Sequence, residues 1–197
     1  GYLEVLERQS NRLKKLIEDL IEASKASTGN LAVHLEKLEA GVSVVQIVGE
    51  FEDKLNAADL TLLIQKPETP VYVMADGRHF WRVIDNLMNN ICKYAQPGTR
   101  VYVDLRENGG QVELIFRNTS RYPLNISSEE LMERFVRGDE SRNTEGSGLG
   151  ISIAKSLMEL MGGSFMLYVD GDLFKVVLGF AQMEEEKEPL DEDKSGK

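Results

Sequence analysis

The chain opens on a helical pattern. Leu3, Leu6, Ser10, Leu13, Ile17 and Leu20 step by threes and fours, the seam of a coiled coil or bundle, and Leu16 and Ile21 widen the stripe. The spacing predicts one helix over residues 1–26, ended by Ser27-Thr28-Gly29-Asn30. Such a helix cannot bury its stripe alone and needs a partner. Leu31, Val33, Leu35 and Leu38 alternate as in a strand, and Val42 to Leu55 returns to a helical repeat. Short strands follow at Leu60–Gln65 and Val71–Met74. Asp76 is placed to cap a strong helix over 77–95, which Gln96-Pro97-Gly98 stops. Arg100–Glu107 and Gln111–Asn118 alternate around Asn108-Gly109-Gly110, a hairpin signal. Residues 119–147 are polar and irregular, with one short helix near Glu129–Phe135. Leu149–Met161 is helical, and Ser164–Val169 and Leu173–Phe180 form a last hairpin.

The resulting class is α/β: a two-layer sandwich of a mixed, mostly antiparallel sheet covered by three helices, preceded by one bundle-forming helix. The organisation reads as a leading helical segment (1–28), a body (31–180) and an acidic tail expected to be disordered (181–197).

Composition narrows the function classes. A net charge of -10 over 197 residues disfavours nucleic acid as a partner, so any anion must bind at a local basic cluster. One cysteine, Cys92, excludes an internal disulfide framework and a cysteine-rich zinc site. No apolar run reaches the ~18 residues of a spanning helix. The chain begins at Gly1, already in helical pattern, and reads as a piece of a longer protein.

Three stretches carry chemistry. Wound at helical pitch, residues 77–95 put Phe80, Ile84, Leu87 and Ile91 on one arc and Arg82, Asn86, Asn90 and Lys93 on a separate stripe, with Tyr94 at its border. Amide oxygens are hard ligands suited to magnesium, and lysine is a point charge for phosphate. The competing account is an ordinary solvated helix face. Gly146-Ser147-Gly148-Leu149-Gly150 precedes a helix, where backbone N–H groups can approach phosphate oxygens. It is neither a P-loop nor a dinucleotide fingerprint, and a linker that merely caps a helix would look similar. Glu133 to Arg142 contains Arg134, Arg137 and Arg142, able to fold over an anion or simply to pair with neighbouring acids.

Together these stretches resemble the ATP-binding catalytic domain of bacterial sensor histidine kinases, within the superfamily shared with DNA gyrase, MutL and heat-shock chaperone ATPases. Asn86-Leu87-Met88-Asn89-Asn90-Ile91-Cys92-Lys93-Tyr94 is similar to the family's asparagine box, Glu133–Arg142 to its phenylalanine box, and Gly146–Gly150 to its last glycine box. The resemblance implies ATP and magnesium as cofactors and transfer of the γ-phosphate to a histidine. It implies that Asn90 holds the metal with Asn86 in support, that Lys93 contacts phosphate and that Tyr94 packs near adenine or ribose. Arg137 and Arg142 would neutralise terminal phosphates, Phe135 would anchor a lid, and Gly146, Ser147, Gly148, Leu149 and Gly150 would cradle phosphate. Hydrolysing relatives carry glutamate at position 86; Asn86 cannot take a proton at neutral pH, which implies transfer to another acceptor.

Residues 1–26 resemble the second helix of the family's dimerising hairpin. The first helix, with the acceptor histidine, would precede Gly1; neither His34 nor His79 has the acceptor's surroundings. The implied partners are that missing helix, a response-regulator receiver domain and a second copy of the parent protein. The parent would be anchored in the bacterial inner membrane, with this portion cytoplasmic. One departure stands out: where the family has an aspartate-glycine box for the adenine amino group, this chain reads Phe116-Arg117-Asn118-Thr119-Ser120. Asn118 offers an amide oxygen instead. A degenerate nucleotide-binding or dimerisation module without kinase activity is therefore the alternative function.

Overall fold

A computed structural model describes residues 1–137, 148–181 and 183. Most of the expected acidic tail thus lies outside the described residues. Helix α1 (Tyr2–Ser27) leads, and the short strand β1 (Glu36–Glu39) follows. Next come α2 (Ala40–Gly49), α3 (Glu52–Ala57), β2 (Leu60–Gln65), β3 (Tyr72–Ala75) and α4 (Gly77–Tyr94). The chain continues through β4 (Thr99–Asn108), β5 (Gln111–Thr119), α5 (Ser128–Arg137), α6 (Gly150–Leu160), β6 (Ser164–Asp170) and β7 (Leu173–Ala181).

Five strands form one sheet in the order β2-β4-β5-β7-β6. Only β2 and β4 run parallel; the other pairs are antiparallel. The β4–β5 turn places Gly109 and Gly110 both at positive φ, the backbone a two-residue hairpin needs and glycine adopts without strain. Val101, Val103 and Leu105 on β4, Val112, Leu114 and Phe116 on β5, and Phe174, Val176, Leu178 and Phe180 on β7 are buried, as period-2 alternation requires. Val44 and Val48 of α2, Phe80, Ile84, Leu87 and Ile91 of α4, and Ile153, Leu157 and Met158 of α6 complete this core. The α/β sandwich expected from the pattern is the observed fold.

Three local expectations need correction. Residues 31–35 form no strand. Leu31 and Val33 do pack against the core, which explains their alternation. Their backbone, however, is held by side chains rather than a ladder. The His34 N–H donates to Asp76 Oδ2 (2.9 Å), and His79 Nε2–H donates to the Ala32 carbonyl (2.8 Å). The strand starts only at Glu36 and pairs with β3, so β1 and β3 make a separate two-stranded sheet. The helix expected over 42–55 is two helices, broken between Gly49 and Glu52 where Phe51 turns into the core. It also begins earlier, because the Glu39 carboxylate accepts from the Gly41 and Val42 N–H groups.

Asp76 performs the capping role assigned to it and one more. Its Oδ1 accepts from the N–H groups of Arg78 (3.0 Å) and His79 (3.3 Å), while Oδ2 holds His34. Burial pushes its carboxyl up, but the His34 and His79 backbone bonds and the His79 ring more than offset this and hold it below its ordinary value. One carboxylate thus starts α4 and ties down the segment that follows α1.

Candidate functional site

Helix α4 carries the site because its two faces have separate tasks. The apolar arc is locked in the core, which fixes the rotation of the polar stripe beside it. Asn86, Asn90, Lys93 and Tyr94 all line one cavity of about 920 Å³. Gly148 and Gly150 line the same cavity, with Ile151 behind them. Two stretches more than fifty residues apart therefore converge, because α6 packs directly on α4.

The contact between them is close. A Cβ at Gly150 would lie 3.2 Å from Asn86 Oδ1 and 3.7 Å from its Cβ. Glycine is what lets the start of α6 approach the asparagine. Gly148 has φ of +72°, a left-handed conformation that favours glycine. The segment thus turns sharply and delivers a helix N-terminus to the cavity, where N–H groups and the helix dipole favour an anion. Leu149 is the N-cap residue of α6, with its carbonyl accepting from Ser152 Oγ (2.8 Å) and the Ile153 N–H (2.9 Å). It packs toward the core and is absent from the cavity wall.

Asn86 is not a solvated surface residue. It is buried, and its Nδ2 has no hydrogen-bond partner among the described residues. A buried amide donor without a partner costs free energy unless a ligand or water takes it. Asn118 presents the complementary case. It sits at the end of β5 on the core-facing side, and its buried Oδ1 also lacks a partner among the described residues. It does not line the cavity itself. An isolated bridge between Ala95 and Ser120 sets this end of β5 beside the end of α4.

The electrostatics are local. Arg8, Lys15, Lys54, Arg82, Lys93 and Arg121 contribute to the wall, against Asp19 and Asp85. Both of those acids are already committed to Arg82. Arg82 Nη2 bonds Asp19 Oδ1 (2.9 Å) and Glu22 Oε2 (2.8 Å), and Nη1 reaches Asp85 Oδ2 (3.3 Å). Burial alone would lower the guanidinium's pKa, but Glu22, Asp19 and Asp85 together raise it. What remains is a cationic cavity in a chain of net charge -10. Lys54 donates to Asn89 Oδ1 (3.0 Å), and the Lys93 ammonium lies 4.9 Å from the centre of the Tyr94 ring. Burial pushes the Cys92 thiol up, with Lys54 opposing the shift in part.

Several features of the site were not foreseen. The engagement of Arg82 by α1 is one such feature: the sequence puts it on the polar stripe with Asn86, Asn90 and Lys93, and it lines the cavity while bound to Asp19 and Glu22. Arg8, Asn11, Lys15, Lys54 and Arg121 were not expected at all. The α1 residues carried a signal: Arg8, Asn11, Lys15, Asp19 and Glu22 recur by threes and fours beside the apolar seam. Lys54 and Arg121 had none. Arg142, Gly146 and Ser147 lie outside the described residues, as do the side chains of Phe135 and Arg137.

A cavity of this volume, lined by cations, an unpartnered amide and a glycine turn, fits a polyanionic nucleotide in size and charge. Comparison with known proteins agrees. Residues 75–189 match the family described as histidine kinase-, DNA gyrase B-, and HSP90-like ATPase. The probable sensor kinase SilS of Salmonella typhimurium is 26% identical over 178 residues, covering 88% of this chain and 36% of SilS. The chain spans well under half the length of the curated relatives it matches. Among solved structures, the Acinetobacter baumannii histidine kinase AdeS superposes with a TM-score of 0.72 at 20% identity, over 92% of this chain and 84% of that one. Histidine kinase ThkA in complex with the response regulator protein TrrA gives 0.69 at 16% identity, over 94% and 52%. The chain belongs to this family of histidine kinase-, DNA gyrase B-, and HSP90-like ATPases.

Proposed function

We propose that this domain binds magnesium-ATP and transfers the γ-phosphate to a histidine on a helix outside the chain, for relay to a response regulator. The observation that carries this reading is the convergence of Asn86, Asn90, Lys93, Gly148 and Gly150 on one cationic cavity. ATP supplies the electrophilic phosphoryl group, and magnesium offsets its charge. Among the described residues no group of three or more His, Cys, Asp or Glu could hold a metal. The metal would therefore rest on the Asn90 amide oxygen and on phosphate oxygens, the usual economy of a magnesium site. Asn86 supports Asn90 and directs its free Nδ2–H toward ligand or water. Lys93 neutralises phosphate, with Tyr94 beneath it against the base or sugar. Arg137 and Arg142 would close over the terminal phosphates with Phe135 as anchor, and residues 146–150 would cradle them. Asn118 would be the acceptor for the adenine amino group: it stands behind the cavity wall at the end of β5, and its buried Oδ1 has no partner among the described residues.

Position 86 selects between transfer and hydrolysis. A carboxylate there could take a proton from water; the Asn86 amide cannot, so the site positions ATP for another acceptor. His79 is no such acceptor, since its Nε2–H is committed to the Ala32 carbonyl. The exposed apolar seam of α1, Leu3, Leu6, Leu13, Ile17 and Leu20, supports packing on the missing first helix and on a second copy. The response regulator protein TrrA is the partner of ThkA in its solved complex, and a response-regulator receiver domain is proposed here by analogy. Among the described residues no helix is long and apolar enough to cross a membrane; we place any inner-membrane anchor elsewhere in the parent protein.

The test mixes the chain with labelled ATP, magnesium and a segment supplying the missing helix. Acid-labile phosphate on that segment is expected. Asn90→Ala should abolish magnesium-dependent ATP binding in calorimetry while leaving the melting temperature unchanged, because its side chain lies off the apolar arc. ATP binding without transfer would favour the degenerate module, a reading that rests on Asn118 replacing the usual aspartate.

A further inference from the structure

We propose that α1 is part of the nucleotide site, with Arg8 and Lys15 forming a second cationic arm for the polyphosphate. This deepens the reading above and rests on it. The matched family region starts at residue 75, so α1 lies outside it. Yet Arg8, Asn11 and Lys15 line the same cavity as Asn90, Lys93 and Gly148. The helix is held in that orientation by its own sequence. Positions 8, 11, 15, 19 and 22 fall on one face, and the last two are the acids that grip Arg82 of α4. The stripe thus changes sign along the helix. Its acidic end is a clamp on α4, and its basic end is delivered to the cavity.

Arg8 and Lys15 have no other evident task. Neither forms an ion pair with a described residue, whereas the adjacent Lys14 pairs with Glu18 on the solvent side. The two cations sit about 10 Å apart along the axis. That spacing suits flanking an extended polyphosphate better than sharing one oxygen. The apolar seam, on a different face, stays exposed at Leu3, Leu13 and Leu20. One helix can therefore serve its partner helices and the nucleotide at once. Nucleotide affinity would then report whether α1 is docked on the domain.

Calorimetric titration of the full chain with ATP, ADP and adenosine tests this. In the Arg8→Ala/Lys15→Ala double variant, ATP affinity should fall about fivefold or more at low salt, ADP less, and adenosine not at all. Arg8→Lys/Lys15→Arg, which keeps both charges, should restore it. Unchanged ATP affinity in the double variant overturns the inference while leaving the domain's ATP binding intact. An equal loss for adenosine also overturns it, since that marks a structural effect. A wild-type chain that binds no ATP overturns both this inference and the reading on which it rests.

Discussion

Helices α1 and α4 are both long and amphipathic, yet they use their apolar residues in opposite ways. In α4 the apolar arc is sealed, with Leu87 at 1% exposure. In α1 the apolar seam faces outward, with Leu13 at 59%, and the helix docks through Asp19, Ala23 and Ala26 instead. Periodicity announces a face to be covered. It does not say whether the cover comes from the same chain. In α4 the sheet and α6 provide it, and the polar stripe is thereby aimed at the cavity. In α1 a salt-bridged face holds the helix in place and leaves the apolar one for something else.

The same substitution in both helices exposes this difference. Leu87→Ala should cost about 2–5 kcal/mol in denaturant unfolding, a cavity in a close-packed core. Leu13→Ala should shift the chain's own stability by no more than about 0.5 kcal/mol. Equal costs would mean that the seam is covered within the chain. Next in size is the link between the helices. Arg82→Ala should cost about 1–3 kcal/mol, below the figure for a fully buried pair because Arg82 retains some water contact, and it strands Asp19 in a buried place. Hydrogen exchange should show α1 amides losing protection while α4 keeps its own. A smaller effect than that of Arg82 concerns the start of α4. Asp76→Asn keeps an oxygen for the cap but loses the acceptor for His34, and should cost about 1 kcal/mol at pH 7. The Asp76 carboxyl titrates below its ordinary value of 3.8 in the folded chain, so its stabilisation is present at neutral pH. It fades as pH falls below 3.8 through the folded value. Stabilities of the two proteins should therefore converge in strong acid; a constant gap would show that the charge is irrelevant.

Much of the fold could be read along the chain because its signals are local. The Asp76 cap, the Gly109-Gly110 turn and the alternation of β4, β5 and β7 each depend on a few neighbouring residues. The failures had non-local causes. Residues 31–35 alternate like a strand, but their backbone partners are Asp76 and His79, more than forty positions away. Phe51 breaks the second helix because the core takes its ring. In the site, the asparagine stripe and the glycine turn were legible as separate pieces. The grip of Asp19 and Glu22 on Arg82, and with it the entry of Arg8 and Lys15 into the cavity, depends on how α1 lies against α4.

By itself, the sequence determined most of the helices, turns and strands, which faces must be apolar, and which residue types could meet phosphate and metal. These follow from backbone preference, periodicity and side-chain chemistry, all short-range. The tertiary structure alone decided that Asn86 loses its solvent and that a side chain at Gly150 would crowd it. It also decided that a helix outside the family's matched region lines the same cavity. Those are properties of distance between segments remote along the chain, and only packing sets them.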